Sequence, residues 1–198
     1  ANCYILSSPT NDALVYITAD EVRDYLDQLE MRNWGVREIA FTGGEPFMNP
    51  QMIEMTEAAL ERGYDVLILT NAMLPMMRKK MREGLLRLQA TYPGKLVLRI
   101  SVDHYRRDLH DAERGAGALE KTIKGMEWLR DNGFTMAVAG RSVFEDTDSR
   151  QIARRGDVCI LADGRQTARR RAPRGAGLHP AAVFARIRTG RDAGGGRT

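Results

Sequence analysis

The sequence predicts an α/β fold of parallel strand-helix-strand units, and three observations carry the prediction. Short runs rich in aliphatic and β-branched residues, at 36–42, 66–69, 96–103 and 135–139, alternate with stretches whose apolar residues recur at helical spacing. Glycine or small polar residues cut off each run, which is the turn chemistry that separates such elements. The run Val66-Leu67-Ile68-Leu69 is apolar at every position, as a strand covered on both faces must be.

The elements follow in order. A loop leads to Thr18-Ala19-Asp20-Glu21, spaced as a capping box in which the Thr hydroxyl and the Glu carboxylate satisfy reciprocal backbone donors at a helix start. Val22, Tyr25, Leu26 and Leu29 then fall at i, i+3, i+4 and i+7 and predict one apolar face. Trp34-Gly35 closes that helix before the strand over 36–42. Asn49-Pro50 predicts the next start, an N-cap followed by proline at the first helical position, with Met52, Met55, Ala59 and Leu60 inward and Gly63 as the stop. Strand 66–69 ends at Thr70-Asn71. Residues 76–89 read as a helix with Met77, Met81, Leu85 and Leu88 inward, the methionines serving as adaptable core filler. Pro93-Gly94 turns the chain into strand 96–103, whose alternation points Ser101 and Asp103 to one side of the sheet. The series closes with a polar loop over 104–117, a helix over 118–132 with Leu119, Thr122, Ile123, Met126 and Leu129 inward, and a strand over 135–139 ending at Gly140-Arg141.

Charge divides the chain in two. Residues 1–149 carry a net charge of -5, while residues 150–198 carry 12 Arg, no Lys and 3 Asp, a net of +9 that accounts for the overall +4. The body therefore gives no electrostatic footprint for nucleic acid. The tail, 150–198, is Arg, Ala and Gly with a closing Gly194-Gly195-Gly196, a composition that buries too little apolar surface to offset chain entropy. It is expected to be disordered, and its Arg-only basicity, the signature of GC-rich codons, reads as a loss of the native frame near residue 149. Cys159 in this tail receives no role. Two cysteines make no disulfide framework and fit a reducing, cytoplasmic compartment. No apolar run approaches the roughly 18 residues of a membrane span.

The chemistry centres on Ile39-Ala40-Phe41-Thr42-Gly43-Gly44-Glu45-Pro46. This reads as a buried strand whose turn puts Glu45 just past the C-terminal end, where parallel α/β folds keep their sites. Two glycines let a ligand approach bare backbone, and a carboxylate beside it suits a ligand ammonium group through a charge-assisted hydrogen bond. An ordinary turn with a solvated Glu45 is the alternative.

With Ala1-Asn2-Cys3-Tyr4 at the start of the chain and Gly43-Gly44-Glu45-Pro46 some forty residues on, the sequence resembles the radical S-adenosylmethionine (radical SAM) superfamily. In that family three cysteines spaced C-x3-C-x2-C follow the first strand and hold a [4Fe-4S] cluster, and a Gly-Gly-Glu-Pro type motif follows the second. Cys3 matches the third cysteine as the metal ligand; the other two would precede Ala1. Asn2 stands where many members carry an aromatic residue. The resemblance implies a partial parallel (β/α) barrel of radical SAM type, incomplete at both ends, over residues 1–149, with one strand upstream of Cys3. Doubly wound flavodoxin-like or Rossmann topology is the fold alternative, against which stands the absence of a G-x-G-x-x-G pattern.

The function so implied is that of a fragment of an enzyme that reductively cleaves S-adenosylmethionine at a [4Fe-4S] cluster to give a 5'-deoxyadenosyl radical for hydrogen abstraction. Gly43, Gly44, Glu45 and Pro46 would hold the methionine ammonium group, Ser101 would reach the ribose or carboxylate region, and Arg141 would pair with the carboxylate. Asn71, Asp103, His104 and Tyr105 project from strand ends as candidates to line the substrate space, with no catalytic residue assigned. A substrate, peptide or small molecule, and an electron donor are the implied partners. Two other readings stand beside it: a non-catalytic SAM- or metabolite-binding barrel without a cluster, and a cluster-free enzyme using Glu45 as general base with Asp103 as its partner.

Ligand count generates a prediction. A site-differentiated cluster needs three thiolates, and the 198 residues offer only Cys3 in the matching place, so this chain by itself is expected to be inactive. Reconstituted anaerobically with iron and sulfide, it should show no stoichiometric cluster by visible absorption and iron counting. The chain preceded by cysteines immediately before Ala1 and four residues earlier should show one. A full cluster on the 198 residues would overturn the count.

Overall fold

The computed structural model describes residues 16–141 and 182–187, with the side chains described for 16–140. Cys3, Cys159 and most of the Arg-rich tail lie outside the described residues. Two compact units divide the chain, residues 1–98 and 99–198, and the boundary falls within one strand.

In the first unit, helix α1 (Ala19–Arg32) opens with the predicted capping box: the Glu21 N-H donates to Thr18 Oγ1 at 3.2 Å and the Thr18 N-H to Glu21 Oε2 at 2.8 Å. Its buried stripe is Ala19, Val22 and Leu26, narrower than predicted, because Tyr25 is exposed and Leu29 only half-buried. Arg23 reaches Glu54 Oε1 at 2.6 Å and Arg62 pairs with Asp27, so charged side chains tie α1 to helix α2 (Met52–Glu61) where apolar contact thins out. Asn49 Oδ1 accepts the Gln51 N-H at 2.9 Å, and the helix proper begins after that turn, two residues later than the proline signal predicts. All four predicted inward residues of α2 are buried, with Ile53, Thr56 and Ala58 in addition.

Strand β1 (Glu38–Phe41) runs parallel to β2 (Asp65–Thr70), Ile39 beside Val66 and Phe41 beside Ile68. The sequence reads β1 as buried. In the structure Ile39 and Phe41 are half-buried and Ala40 is exposed, since β1 stands first in the strand order with β2 as its described neighbour. The single helix predicted over 76–89 is two, α3 (Leu74–Met77) and α4 (Lys79–Thr91), broken at Arg78 by an extended backbone with ψ 143°. Met81, Leu85 and Leu88 line the buried face of α4. A Cβ on Gly84 would lie 2.6 Å from Ile53 Cγ1, so α4 is seated closely against α2.

In the second unit, which begins within β3 (Leu96–Ser101), helices α5 (Arg107–Arg114) and α6 (Ala118–Asp131) lead to β4 (Thr135–Arg141). The polar loop predicted over 104–117 thus contains a helix. Apolar periodicity could not reveal it, because α5 is held by polar contacts: Asp111 accepts the N-H groups of Gly117 and Leu119 at 2.8 and 2.9 Å, locking the loop onto the start of α6. Leu119, Thr122, Met126 and Leu129 of α6 are buried as predicted, while Ile123 is exposed.

The strand order is β1-β2-β3-β4-β5, the first four forming a parallel sheet. Strand β5 (Ala182–Ile187) is antiparallel to β4, with Ala185 opposite Val138. This short strand, Ala-Val-Phe-Ala-Arg-Ile, is the described part of the tail. Among the described residues no helix is long and apolar enough to cross a membrane.

Gly140 sets how closely the end of β4 approaches the end of β3. The Val102 N-H donates to Ala139 O at 2.8 Å, and a Cβ on Gly140 would lie 2.3 Å from Val102 O. Backbone cannot yield as a flexible side chain does, so Gly140→Ala should destabilise the chain by about 1–3 kcal/mol. Chemical denaturation with an unchanged midpoint would show that this approach is not needed.

Candidate functional site

The chain leaves β1 through Thr42-Gly43-Gly44-Glu45. Gly43 takes φ +143°, a conformation L side chains avoid, and a Cβ there would meet nothing within 4 Å. The backbone at this strand exit therefore borders open space. Glu45, extended at φ -136°, caps the single 3-10 turn Pro46–Met48, whose Pro46 and Phe47 are buried. Its carboxylate is half-buried and gathers donors from two strands: Oε1 accepts Thr70 Oγ1-H at 2.7 Å and the Phe47 N-H at 3.3 Å, and Oε2 accepts the Asn71 N-H at 2.8 Å. These bonds fix the carboxylate in place at the strand ends.

The end of β2 is built around the same carboxylate. Thr70 Oγ1, donating to Glu45, accepts the Ala72 N-H at 3.0 Å, and Asn71 Oδ1 accepts the Met73 N-H at 2.8 Å. Between them Ala72, fully buried, is held at φ +56°. A left-handed alanine costs about 1–2 kcal/mol, so four hydrogen bonds hold a turn that the backbone alone resists.

In the second unit a different set of groups fixes the end of β3. Asp103 has its side chain 1% exposed and pairs with Arg114, which donates from Nε at 2.6 Å and Nη2 at 3.3 Å. A carboxylate so buried demands such a partner. The Asp103 N-H donates to His110 Nδ1 at 3.3 Å. Since Nδ1 accepts, the neutral ring carries its proton on Nε2, and that buried atom has no hydrogen-bond partner among the described residues. Burial, reinforced by the nearby Arg114 guanidinium, lowers the His110 pKa and favours this neutral form. Asp111 is held below the ordinary carboxylate range, chiefly by the Leu119 N-H it accepts.

Of the residues singled out from sequence, Gly43, Gly44, Glu45, Pro46 and Asn71 form one constellation at the ends of β1 and β2. Asn71 contributes its backbone N-H to Glu45 and its side chain to its own turn. Ser101 is half-buried at the last position of β3. Asp103 and His104, candidates to line the substrate space, are buried: Asp103 pairs with Arg114, and His104 Nδ1 accepts the Arg106 N-H at 2.9 Å while its ring stacks on exposed Tyr105 at 4.6 Å. Arg141 ends β4, its side chain outside the described set, and Cys3 lies outside it altogether. Among the described residues no group of three His, Cys, Asp or Glu could hold a metal ion. Sequence reasoning noted Thr70 only as a polar strand end and passed over His110 and Arg114, whose signal was their i, i+4 spacing within an apparently featureless polar stretch.

Comparison with known proteins bears on what such a site does. The model of the radical SAM superfamily matches residues 2–147. The subtilosin biosynthesis protein AlbA of Bacillus subtilis, named as acting in production of an antilisterial bacteriocin, is 34% identical over 146 residues, covering 73% of this chain and 30% of the relative. An AdoMet-dependent heme synthase of Methanosarcina barkeri is 29% identical over 145 residues, 70% of this chain and 38% of the relative. The chain thus spans about a third of the length of these relatives. Among solved structures, Streptococcus suis SuiB bound to S-adenosylmethionine superposes with a TM-score of 0.51 at 19% identity, over 64% of this chain and 28% of that one, a likeness of fold.

The Glu45 constellation makes a prediction about stability. Thr70→Val keeps the side-chain volume but removes the 2.7 Å donor to Glu45 and the acceptor of the Ala72 N-H, both in a buried turn. Unpaired buried polar groups cost about 1–3 kcal/mol, and denaturant unfolding should show a loss of that size. A loss of a few tenths would mean that the turn is held without Thr70.

Proposed function

The chain belongs to the radical SAM superfamily, and from that premise we propose that it is the S-adenosylmethionine-binding part of an enzyme that uses reductive cleavage of that molecule to abstract hydrogen from a peptide or small-molecule substrate. The observation that carries the reading is the Gly43–Pro46 strand exit, where bare glycine backbone borders open space beside a carboxylate fixed by Thr70 and Asn71. These features fit the methionine end of S-adenosylmethionine. Backbone at Gly43 can approach its ammonium group without hindrance from a side chain, and the Glu45 charge lies close by without needing to be ordered on binding.

Ser101 and Arg141 take the roles the resemblance gives them, toward the ribose or carboxylate and toward the carboxylate. Cys3 would be one of three thiolate ligands of a [4Fe-4S] cluster, and that cluster when bound supplies, from an external electron donor, the electron for cleavage. The protein's own part is to orient the reactants and keep water away. Asn71, His104 and Tyr105 are the residues proposed to border the substrate. The scarcity of cysteine, two in 198 residues, supports a reducing cytoplasmic location.

Glu45→Gln tests the reading. It keeps the shape and removes the charge, but its NH2 group also replaces the acceptor of either the Thr70 or the Asn71 donor, so folding is first checked by denaturant unfolding and the affinity is read on protein that remains folded. Calorimetry should show S-adenosylmethionine binding weakened by roughly 1.5–3 kcal/mol, and unchanged affinity in a folded variant would remove Glu45 from the site.

A further inference from the structure

We infer that His110 is a positioning residue for the end of β3, holding Ser101 and Asp103 in place for S-adenosylmethionine through the Asp103 backbone N-H, and that its protonation releases that strand end. The inference rests on the proposed function for the part Ser101 plays. The positioning itself stands on the geometry of the second unit.

Three bonds pin the chain as it leaves β3. The Val102 N-H goes to Ala139 O, the Asp103 carboxylate receives Arg114, and the Asp103 N-H goes to His110 Nδ1. The first belongs to the sheet. The other two come from His110 and Arg114, one helical turn apart on α5, so a short polar helix aims two consecutive turns at one residue. Arg114 answers a need of burial, since the Asp103 charge must be paired. His110 answers none that an apolar side chain would leave unmet at lower cost, because its Nε2-H is itself buried without a partner among the described residues. What it alone provides is an acceptor for the amide two residues past Ser101.

Protonation would place a donor at Nδ1 facing the Asp103 N-H, and two donors cannot share that 3.3 Å contact. The groups around the ring are Arg114 and Asp111 on α5 and Asp103 and His104 at the strand end. Burial dominates, with Arg114 and His104 opposing protonation and Asp103 and Asp111 favouring it. Because the folded-state pKa is lowered, the contribution is complete above the unfolded value of 6.5 and is lost as pH falls through the lower folded value.

The test uses the full protein, with S-adenosylmethionine as the probe and amide hydrogen exchange of peptides covering 100–104 as a readout independent of any ligand. His110→Phe keeps a ring but removes the acceptor; His110→Asn restores an acceptor through Oδ1 and does not titrate. Protection, meaning exchange corrected for the intrinsic pH dependence of amides, should fall about tenfold or more in His110→Phe at neutral pH, and in the wild type on acidification, while His110→Asn keeps the neutral wild-type protection at both. S-adenosylmethionine affinity should fall about tenfold in parallel, with the acid-dependent part absent from His110→Asn. Protection at 100–104 that ignores both variants and pH would overturn the inference, as would His110→Asn retaining the wild-type acid response even if His110→Phe fails to fold. Protection that responds as stated in a protein that binds no S-adenosylmethionine at any pH would instead overturn the proposed function and leave the positioning role supported.

Discussion

The carboxylate of Glu45 is the constraint on which the first unit's strand ends depend. Where a parallel strand stops, its last amides lose the ladder partner that the next residue would have supplied, and a buried N-H must be answered somehow. One carboxylate answers three donors here, Phe47 N-H on its own turn and Thr70 Oγ1-H and Asn71 N-H from the neighbouring strand. Bonds to an ionised acceptor are roughly twice as strong as neutral ones. A neutral side chain with fewer acceptor positions could not gather the same set, so the turn after β1 and the turn after β2 share a single keystone.

The second unit meets the same need with other groups. Asp103 follows β3 closely, as Glu45 follows β1, but its carboxylate turns away from the backbone and is neutralised by Arg114, leaving the amide to His110. The difference has a consequence for pH. An imidazole acceptor is lost on protonation, so the end of β3 responds to acid.

Much of this was legible in the sequence, and the reasons divide by kind of force. The parallel α/β class, the capping box at Thr18 and Glu21, and the inner faces of α2 and α4 follow from spacing of apolar residues, a local signal. Glu45 was legible because two glycines and a proline bracket it. The exposure of Tyr25 and Ile123 was not, since helical periodicity fixes a stripe but not its width, which depends on the neighbour the stripe meets. Helix α5 has no apolar signature in the sequence because its order comes from Asp111, Asp103 and His110, whose partners are distributed over some sixteen residues and meet only in the fold. The break at Arg78 likewise reflects a backbone turn that no glycine or proline at that position announces.

Ala72 shows what the hydrogen bonds at these strand ends accomplish. Glycine would take φ +56° without penalty, yet an alanine occupies the position, buried and fixed by Thr70 and Asn71 on either side. Strain of this kind persists only where the surroundings over-determine the backbone, and over-determination is also what a binding site requires if ordering is not to be charged against ligand affinity. The Glu45 side chain holds the two turns, so the group left to meet a ligand most directly is the backbone at Gly43, which borders open space. The carboxylate then acts on that ligand from a position already set by the fold. The same bonds that make the strand ends rigid therefore place the charge, and the rigidity and the recognition cannot be altered separately at Glu45.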